Sequence, residues 1–196
     1  MSDGAVDLSE TPLVLLLAPA VRDRPMDACV RALEGIGDDI DRVTAVTITD
    51  SARDWLSIWD QTSMCESTPV TCIDVDGATR STTTDVVSTA RTQVERIRDP
   101  TDLEAVGRRV SDALDRADEA DDATGIVVHS LTGILQHVDE STAFKFVYTL
   151  GEVIRRVDGI VFFHLDPGAH DAETVETFRI VCDAVVDWDR AGRRQQ

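Results

Sequence analysis

The sequence predicts a single α/β domain in which helices cover both faces of a mostly parallel central sheet. The chain has 196 residues, of which 42% are apolar, and this is enough to fill one hydrophobic core. Continuous apolar runs at 13–17, 126–128 and 160–163 are typical of strands that are buried on both faces. Helical patterns alternate with these runs, and that alternation favours a parallel sheet.

Shorter patterns complete the predicted sheet. Further strands are expected at 44–49, 70–75 and 184–188. The segment SARDWLSIWD, residues 51–60, has apolar residues at helical spacing and predicts an early helix. Between Gly77 and Pro100 the chain is rich in Ser and Thr and poor in large apolar residues, so we expect a surface segment that is partly helical near its end.

A capping box predicts the start of one long helix. In Thr101-Asp102-Leu103-Glu104 the hydroxyl and the carboxylate can satisfy each other's backbone N–H groups. Apolar residues then follow at helical spacing, namely Leu103, Val106, Val110, Leu114 and Ala117.

Two more helices are expected in the carboxyl-terminal half of the chain. One runs from about Ser141 to Val157, is capped by Asp139 or Ser141, and ends at Asp158-Gly159 before the next strand. A short helix then starts at Asp171.

The charge of the chain is strongly negative and has an unusual makeup. Lys and Arg number 19 against 37 Asp and Glu, which gives a formal net charge of -18. Asp supplies 27 of the 37 acids, and Lys145 is the only lysine beside 18 arginines. Such a surface repels nucleic-acid phosphates, and its self-repulsion is screened in concentrated salt. We therefore expect no nucleic-acid partner and a salt-adapted cytoplasm; an ordinary acidic mesophilic protein is the alternative.

Cysteine spacing and the amino terminus exclude several classes of protein. Cys29, Cys65, Cys72 and Cys182 form no C-x-x-C pair, so reduced thiols are expected in place of a zinc site or a disulfide framework. The acidic opening MSDGAVDLSE is unlike a signal peptide, and the first apolar run is too short to span a bilayer.

We accordingly expect a cytoplasmic protein without membrane association. Its domain should occupy residues 11–190, between a flexible amino terminus at 1–10 and a tail at 191–196.

The stretch from GIVVHS to DAVVDW resembles the KaiC-like branch of RecA-type ATPases, particularly degenerate members of halophilic archaea. A hydrophobic strand leads into a position where the family has an Asp-Ser pair, followed by a helix, a strand, a further helix and a further strand. The resemblance covers residues 101–188 best and the first strand more loosely, and it implies a RecA-like domain.

The loop after the first strand departs from the family's phosphate-binding pattern, G-x-x-x-x-G-K-[ST]. That pattern lets backbone N–H groups surround phosphate while a lysine neutralises it. Laid onto the text APAVRDRP, Ala18 and Asp23 replace the glycines, Arg24 replaces the lysine and Pro25 replaces the hydroxyl. The two prolines in this text have no backbone N–H to donate, and the negative charge of Asp23 repels phosphate. Weak anion binding through Arg22 and Arg24 is the most that this loop offers.

The second nucleotide element is also altered. The acidic residue that the family places at the end of the GIVVHS strand to hold magnesium is His129 here, although Ser130 remains. Neutral imidazole is a poor magnesium ligand. Lys145 does not replace the missing lysine, because it lies in a predicted helix with no glycine-rich loop before it. We therefore expect no ATP turnover, no bound cofactor and no catalytic residue.

An enzyme remains the alternative. His129, His164, Asp166 and His170 could converge on a metal and support hydrolysis, or they could be strand-end residues bonded to loops, with Asp166-Pro167-Gly168 a simple turn. Cys29 or Cys182 could pair with a histidine as a nucleophile, although no local signature supports this.

Two tryptophans provide a hypothesis for partner binding. Trp55 and Trp59 are four residues apart on the early helix, so they form either a docking face or plain core. The family resemblance implies a homo-oligomer or a complex with an active KaiC-like paralogue. The sequence thus indicates a catalytically inactive regulatory or signalling protein-interaction module in a halophilic archaeon; the alternative is a metal-dependent hydrolase or a residual ATPase.

Overall fold

Thirteen helices and strands are present in the computed structural model, which describes residues 11–19, 25–36, 39–48, 50–75 and 89–188. The strands are β1 (Leu13–Leu17), β2 (Arg42–Thr47), β3 (Val70–Val75), β4 (Thr92–Ile97), β5 (Thr124–His129), β6 (Gly159–Leu165) and β7 (Ala184–Asp187). The helices are α1 (Pro25–Glu34), α2 (Ala52–Trp59), α3 (Leu103–Asp118), α4 (Leu131–Ile134), α5 (Glu140–Ile154) and α6 (Ala172–Val181). The predicted segments 1–10 and 191–196 lie outside the described residues.

The seven strands form one sheet in the order β4, β3, β2, β5, β6, β1, β7, and every pairing is parallel. This confirms the predicted single α/β domain with a parallel sheet. Thr47 at the end of β2 lies opposite His129 at the end of β5, so the carboxyl ends of these central strands share one edge. In open parallel sheets that edge is where ligands bind.

Two apolar layers cover the sheet. Apolar side chains of one face pack with α3, α4, α5 and α6, while those of the other face pack with α1 and α2. Neighbouring residues of a strand point to opposite faces, so Leu15 belongs to the first layer and Leu16 to the second. Burial on both faces is the reason that β1, β5 and β6 read as continuous apolar runs.

The cap of α3 differs from the predicted capping box. Asp102, not Thr101, is the N-cap residue, and its carboxylate accepts a hydrogen bond from the backbone N–H of Ala105 at 2.8 Å. Thr101 instead donates its hydroxyl to Asp99 at 2.7 Å. The predicted buried face is confirmed, since Leu103, Val106, Val110, Leu114 and Ala117 are all buried.

The later helices follow the prediction closely. Asp139 caps α5 and Asp171 caps α6, each by accepting a backbone N–H three residues on. The helix α5 ends at Ile154, three residues before the predicted end, and the next strand begins at Gly159. Lys145 lies exposed on α5, as expected of a solvated helix residue.

The strand β4 corrects the expectation of partial helix near residue 100. Thr92–Ile97 pairs with β3 along its whole length. Its Glu95 lies 3.3 Å from Arg109 and 3.7 Å from Arg116, both on α3. These ion pairs explain how a strand rich in charged residues fits at the sheet edge, a contact that local composition did not indicate. Residues 76–88 of the predicted surface segment lie outside the described residues.

No helix among the described residues is long and apolar enough to cross a membrane.

Candidate functional site

The turn after β1 is joined to the neighbouring strand β6. The backbone N–H of Ala18 donates to the carbonyl of Leu165 at 3.1 Å, and the carbonyl of Ala18 accepts a hydrogen bond from Nε2 of His164 at 2.9 Å. Both backbone groups at the first predicted glycine position are therefore engaged with the sheet edge. Arg22, Asp23 and Arg24 lie outside the described residues, and α1 begins at Pro25.

His129 ends β5 at the position where the family resemblance places an acidic residue. Its side chain is only 2% exposed, and its Nε2 lies 2.9 Å from Oδ2 of Asp50, which precedes α2. A carboxylate in contact with the ring holds the N–H on Nε2. Asp50 thus anchors His129 on the β2 side of the sheet, a partner that the sequence did not indicate.

His164 lies beside His129 near the end of β6. The two ring centroids are 4.8 Å apart and the ring planes are inclined by 33°. Burial lowers the pKa of His164 from 6.5 to about 4, and the neighbouring His129 acts in the same direction. The hydrogen bond to Ala18 and the carboxylates Asp166 and Asp50 oppose this shift. His164 is therefore a neutral imidazole at neutral pH.

Among the described residues, the remaining nitrogen of each ring has no hydrogen-bond partner. Nδ1 of His129 and Nδ1 of His164 are both buried and unpaired. Most buried polar atoms in folded proteins are paired, so two unpaired nitrogens on contacting rings are unusual.

Polar residues at the ends of β2 and β3 lie along the same sheet edge as His129 and His164. Thr47 is fully buried, and its hydroxyl donates to Oδ1 of Asp74 at 3.3 Å. The backbone N–H of Ala52, at the start of α2, donates to the same oxygen at 3.4 Å. Strand register places Thr47 between Asp74 and His129. Sequence reasoning missed Thr47 and Asp74, although both lie within predicted strands, at 44–49 and 70–75.

Ser130 and His170 make structural contacts away from the histidine pair. The hydroxyl of Ser130 caps the short helix α4 by accepting the N–H of Gly133 at 3.1 Å. His170 Nε2 lies 3.1 Å from the hydroxyl of Thr132. The same hydroxyl accepts the backbone N–H of Asp166 at 3.0 Å.

Of the four residues considered for a metal-dependent hydrolase, the structure stacks only His129 and His164 against each other. The carboxylate of Asp166 accepts a hydrogen bond from the backbone N–H of Gly168 at 2.8 Å. This bond closes the simple Asp166-Pro167-Gly168 turn that was the alternative to a metal ligand. In the part of the chain that the structure describes, no three or more His, Cys, Asp or Glu side chains are grouped to hold a metal ion.

Cys29 and Cys182, the two cysteines considered as nucleophiles, do not have the properties of reactive thiols. Cys29 is fully buried, and burial raises the pKa of its thiol well above the ordinary range. Burial likewise raises the pKa of the Cys182 thiol to about 12. The thiolate is the reactive form, so both side chains are inert at neutral pH.

The tryptophan docking hypothesis is wrong for the folded domain. Trp55 is 0% exposed and Trp59 is 2% exposed, and both pack into the apolar layer between α1, α2 and the sheet. Core packing, the alternative interpretation, is what the structure shows. The large apolar side chains exposed among the described residues are instead Tyr148 on α5 and Ile180 on α6.

Comparisons with known proteins give a family and a fold. A family model described as a family of unknown function, DUF7504, matches residues 13–188. No curated protein matches the sequence.

Three solved structures with a similar fold are of proteins from Pyrococcus horikoshii and Methanocaldococcus jannaschii. An uncharacterized protein of Pyrococcus horikoshii, PH0321, crystallised with an unknown peptide, is 11% identical with a TM-score of 0.58, covering 90% of this chain and 76% of its own. A second P. horikoshii protein, PH0250, is 12% identical with a TM-score of 0.58 and coverages of 92% and 83%. The flagellar accessory protein FlaH of Methanocaldococcus jannaschii is 8% identical with a TM-score of 0.55 and coverages of 90% and 71%. These likenesses support a RecA-like fold.

Proposed function

We propose a function for this chain as a member of DUF7504, the family of unknown function to which it belongs over residues 13–188. It is a catalytically inactive RecA/KaiC-like domain that acts as a regulatory or signalling protein-interaction module in the cytoplasm of a halophilic archaeon. Its fold is of a nucleotide-binding type, and the proposal concerns how this chain departs from that chemistry.

The observation that carries the proposal is the position of His129. Magnesium prefers oxygen ligands, and a carboxylate at the end of β5 would hold the cation and its water. In this chain the position holds a buried imidazole that is bonded to Asp50 and stacked on His164. Neither ring offers magnesium an oxygen, so the geometry supports a domain without metal-assisted ATP hydrolysis.

The turn after β1 supports the same conclusion. A phosphate cradle needs several free backbone N–H groups. The N–H of Ala18 is already donated to Leu165, and Pro19 and Pro25 have none to donate. We propose that Arg22 and Arg24 leave at most weak anion binding, and that the vestigial site holds no nucleotide.

The charge of the chain supports a salt-rich cytoplasm as its environment. A net charge of -18 with one lysine among 19 strong bases is suited to concentrated salt, where screening removes self-repulsion. The same charge disfavours a nucleic-acid partner. A protein partner, an active KaiC-like paralogue or a second copy of this chain is the partner class that remains. The peptide in the PH0321 structure supports peptide binding by a domain of this fold.

Calorimetric titration with ATP and Mg²⁺ in multimolar KCl, combined with a phosphate-release assay, tests the loss of catalysis. We expect no saturable heat and no phosphate release above buffer. An active KaiC-like ATPase in the same buffer is the positive control. Stoichiometric binding with turnover would defeat the proposal and favour the residual ATPase.

A second experiment tests the interaction role. The tagged chain is used to capture partners from a salt-grown lysate, with an unrelated protein of matched acidity as the control bait, and its mass is measured by light scattering. Recovery of a KaiC-like ATPase in near-equal amount, or a stable homo-oligomer, supports the proposal. A monomer that captures nothing beyond the control bait contradicts it.

A further inference from the structure

The Nε2 atom of each histidine in the pair has a hydrogen-bond acceptor as its partner. A backbone carbonyl can only accept, so Nε2 of His164 carries the hydrogen that it donates to Ala18 at 2.9 Å. The Asp50 carboxylate likewise accepts from Nε2 of His129 at 2.9 Å. An imidazole that binds a metal while it donates from Nε2 does so through the lone pair of Nδ1. Both Nδ1 atoms are buried, and neither has a hydrogen-bond partner in the part of the chain that the structure describes.

The two anchoring hydrogen bonds lie on opposite sides of the pair. The sheet order places β2 beside β5 and β1 beside β6. Asp50 follows β2 and holds His129 from one side, while Ala18 follows β1 and holds His164 from the other. Both rings are thereby fixed in orientation without any use of Nδ1.

This is the arrangement that metal-binding histidines have in proteins. Such a histidine almost always donates its second N–H to a carboxylate or a backbone carbonyl, which sets the tautomer and raises the basicity of the ligating nitrogen. Here one ring has the carboxylate and the other has the carbonyl.

We propose that Nδ1 of His129 and Nδ1 of His164 together bind one transition-metal ion of the class that prefers imidazole nitrogen, such as Zn²⁺. Magnesium is excluded from this class because it prefers oxygen. No third His, Cys, Asp or Glu among the described residues completes the set, so water or an external donor fills the remaining positions. The carboxylate of Asp50, 2.9 Å from Nε2 of His129, places negative charge beside the pair and favours a cation there.

The four histidines of the chain supply both the test and its controls. Chelator-stripped protein is titrated with Zn²⁺ by calorimetry in multimolar KCl with excess Mg²⁺, which occupies surface carboxylates. We expect one tight site per chain. His129→Gln and His164→Gln keep an amide N–H for the anchoring bond but lack the Nδ1 ligand, so each should weaken binding at least tenfold. His137→Gln, on the surface, and His170→Gln, beside Thr132, should leave it unchanged.

Asp50→Asn tests the anchoring bond separately. An amide oxygen still accepts from Nε2 of His129 but polarises the ring less than a carboxylate, and the loss of an outer-shell partner of this kind typically weakens metal binding about 10- to 100-fold. Retained affinity in Asp50→Asn together with retained affinity in both glutamine variants would overturn the site.

A measurement on the unaltered chain keeps the proposal falsifiable if a variant fails to fold. Long-range ¹H–¹⁵N spectra of histidine report each ring nitrogen. Addition of Zn²⁺ should shift Nδ1 of two histidines and leave the other two unaffected. Zinc heat without these shifts would mean adventitious binding to surface carboxylates only, and would overturn the proposal. The site does not depend on the proposed function, because zinc binding and ATP binding are measured separately.

Discussion

The imidazole of His129 stacks on that of His164, with ring centroids 4.8 Å apart and planes inclined by 33°. The His164 side chain is 2% exposed, so its positively charged form would lack most of the hydration that an imidazolium has in water. A second positive charge on the adjacent ring would add repulsion in the same buried place. In the folded state His164 is therefore more stable in its neutral form, and its protonation in acid opposes folding.

The first prediction is that His164 makes the folded domain less stable as the pH falls from about 6.5 to about 4. The pKa of this residue falls from 6.5 to about 4 on folding because of burial and of His129, so in this window the unfolded chain binds more protons. The free energy of unfolding must then decrease as the pH falls, by about 3 kcal/mol at most. Below the folded pKa both states are protonated and the effect ends. Urea titrations across this range measure it.

His164→Gln is the matched control for that pH dependence. The variant lacks the titrating group, so its stability should fall less than that of the native chain over the same window. Asp139 and Asp171 also have lowered pKa values, because each accepts hydrogen bonds at a helix start, but they are carboxyls and lose their contribution as the pH falls below 3.8. Parallel pH profiles of the two chains would contradict the assignment to His164.

Some features of the candidate site could be predicted from sequence patterns, and others could not. The ends of β5 and β6 were predictable because continuous apolar runs stop at His129 and His164, and parallel strands bring such residues to one edge. Asp50 was not predictable as their partner, since it is 79 positions from His129 and the two meet only through the pairing of β2 with β5. The strand register that joins them has no local signature.

The errors of sequence reasoning have a similar cause. A helix with two tryptophans is compatible with a docking face or with core, and only the sheet beneath α2 decides between them. The strand β4 has charged residues whose partners are on α3, so its composition alone indicated surface structure. Caps and apolar spacing, which are local features, predicted α3, α5 and α6 within a few residues.

Truncation of Trp55 should destabilise the domain strongly. The side chain is 0% exposed, so Trp55→Ala removes a large apolar group from the core and should cost about 3–5 kcal/mol. Tyr148→Ala and Ile180→Ala remove side chains that are 52% and 76% exposed, and each should change stability by no more than about 0.5 kcal/mol. Denaturant unfolding in concentrated KCl compares the three variants. Equal effects would mean that α2 does not pack as described.

Two glycines should respond in opposite directions to alanine. A Cβ at Gly125 would lie 2.8 Å from both Leu33 and Ile40, which are buried side chains of the layer under α1, so Gly125→Ala should cost about 1–3 kcal/mol. A methyl group at Gly107 on α3 would meet no atom within 4 Å beyond the backbone of its own helix, and alanine should stabilise the helix by about 0.5–1 kcal/mol. Thermal melts of the two variants and the native chain show whether the unfolding midpoint falls in Gly125→Ala and rises in Gly107→Ala. A gain at Gly125 would contradict the packing of β5 on α1.

Salt should stabilise the whole domain. With a net charge of -18, self-repulsion is long-ranged at about 0.1 M salt, where the screening length is about 10 Å, and is largely removed near 1 M, where it is about 3 Å. The unfolding midpoint should therefore rise with KCl, most steeply below about 1 M. Sucrose, an uncharged stabiliser, is the comparison that separates screening from solvent exclusion. A midpoint that is independent of KCl would remove the support for a salt-adapted protein.

The turn after α3 allows the charge effect to be separated from backbone conformation. Asp121 has a φ of 59°, a left-handed conformation that Asn adopts as readily as Asp, and it lies in a small depression with Asp118, Asp122 and Asp158. Asp121→Asn removes one negative charge from this group, so it should raise stability by about 0.5 kcal/mol in dilute buffer and by nothing measurable in multimolar KCl. Asp121→Ala removes the same charge but disfavours the conformation, so it should be less stable than Asp121→Asn by about 1 kcal/mol at every salt concentration. A difference between native and Asn chains that persists in concentrated KCl would show that repulsion is not its cause.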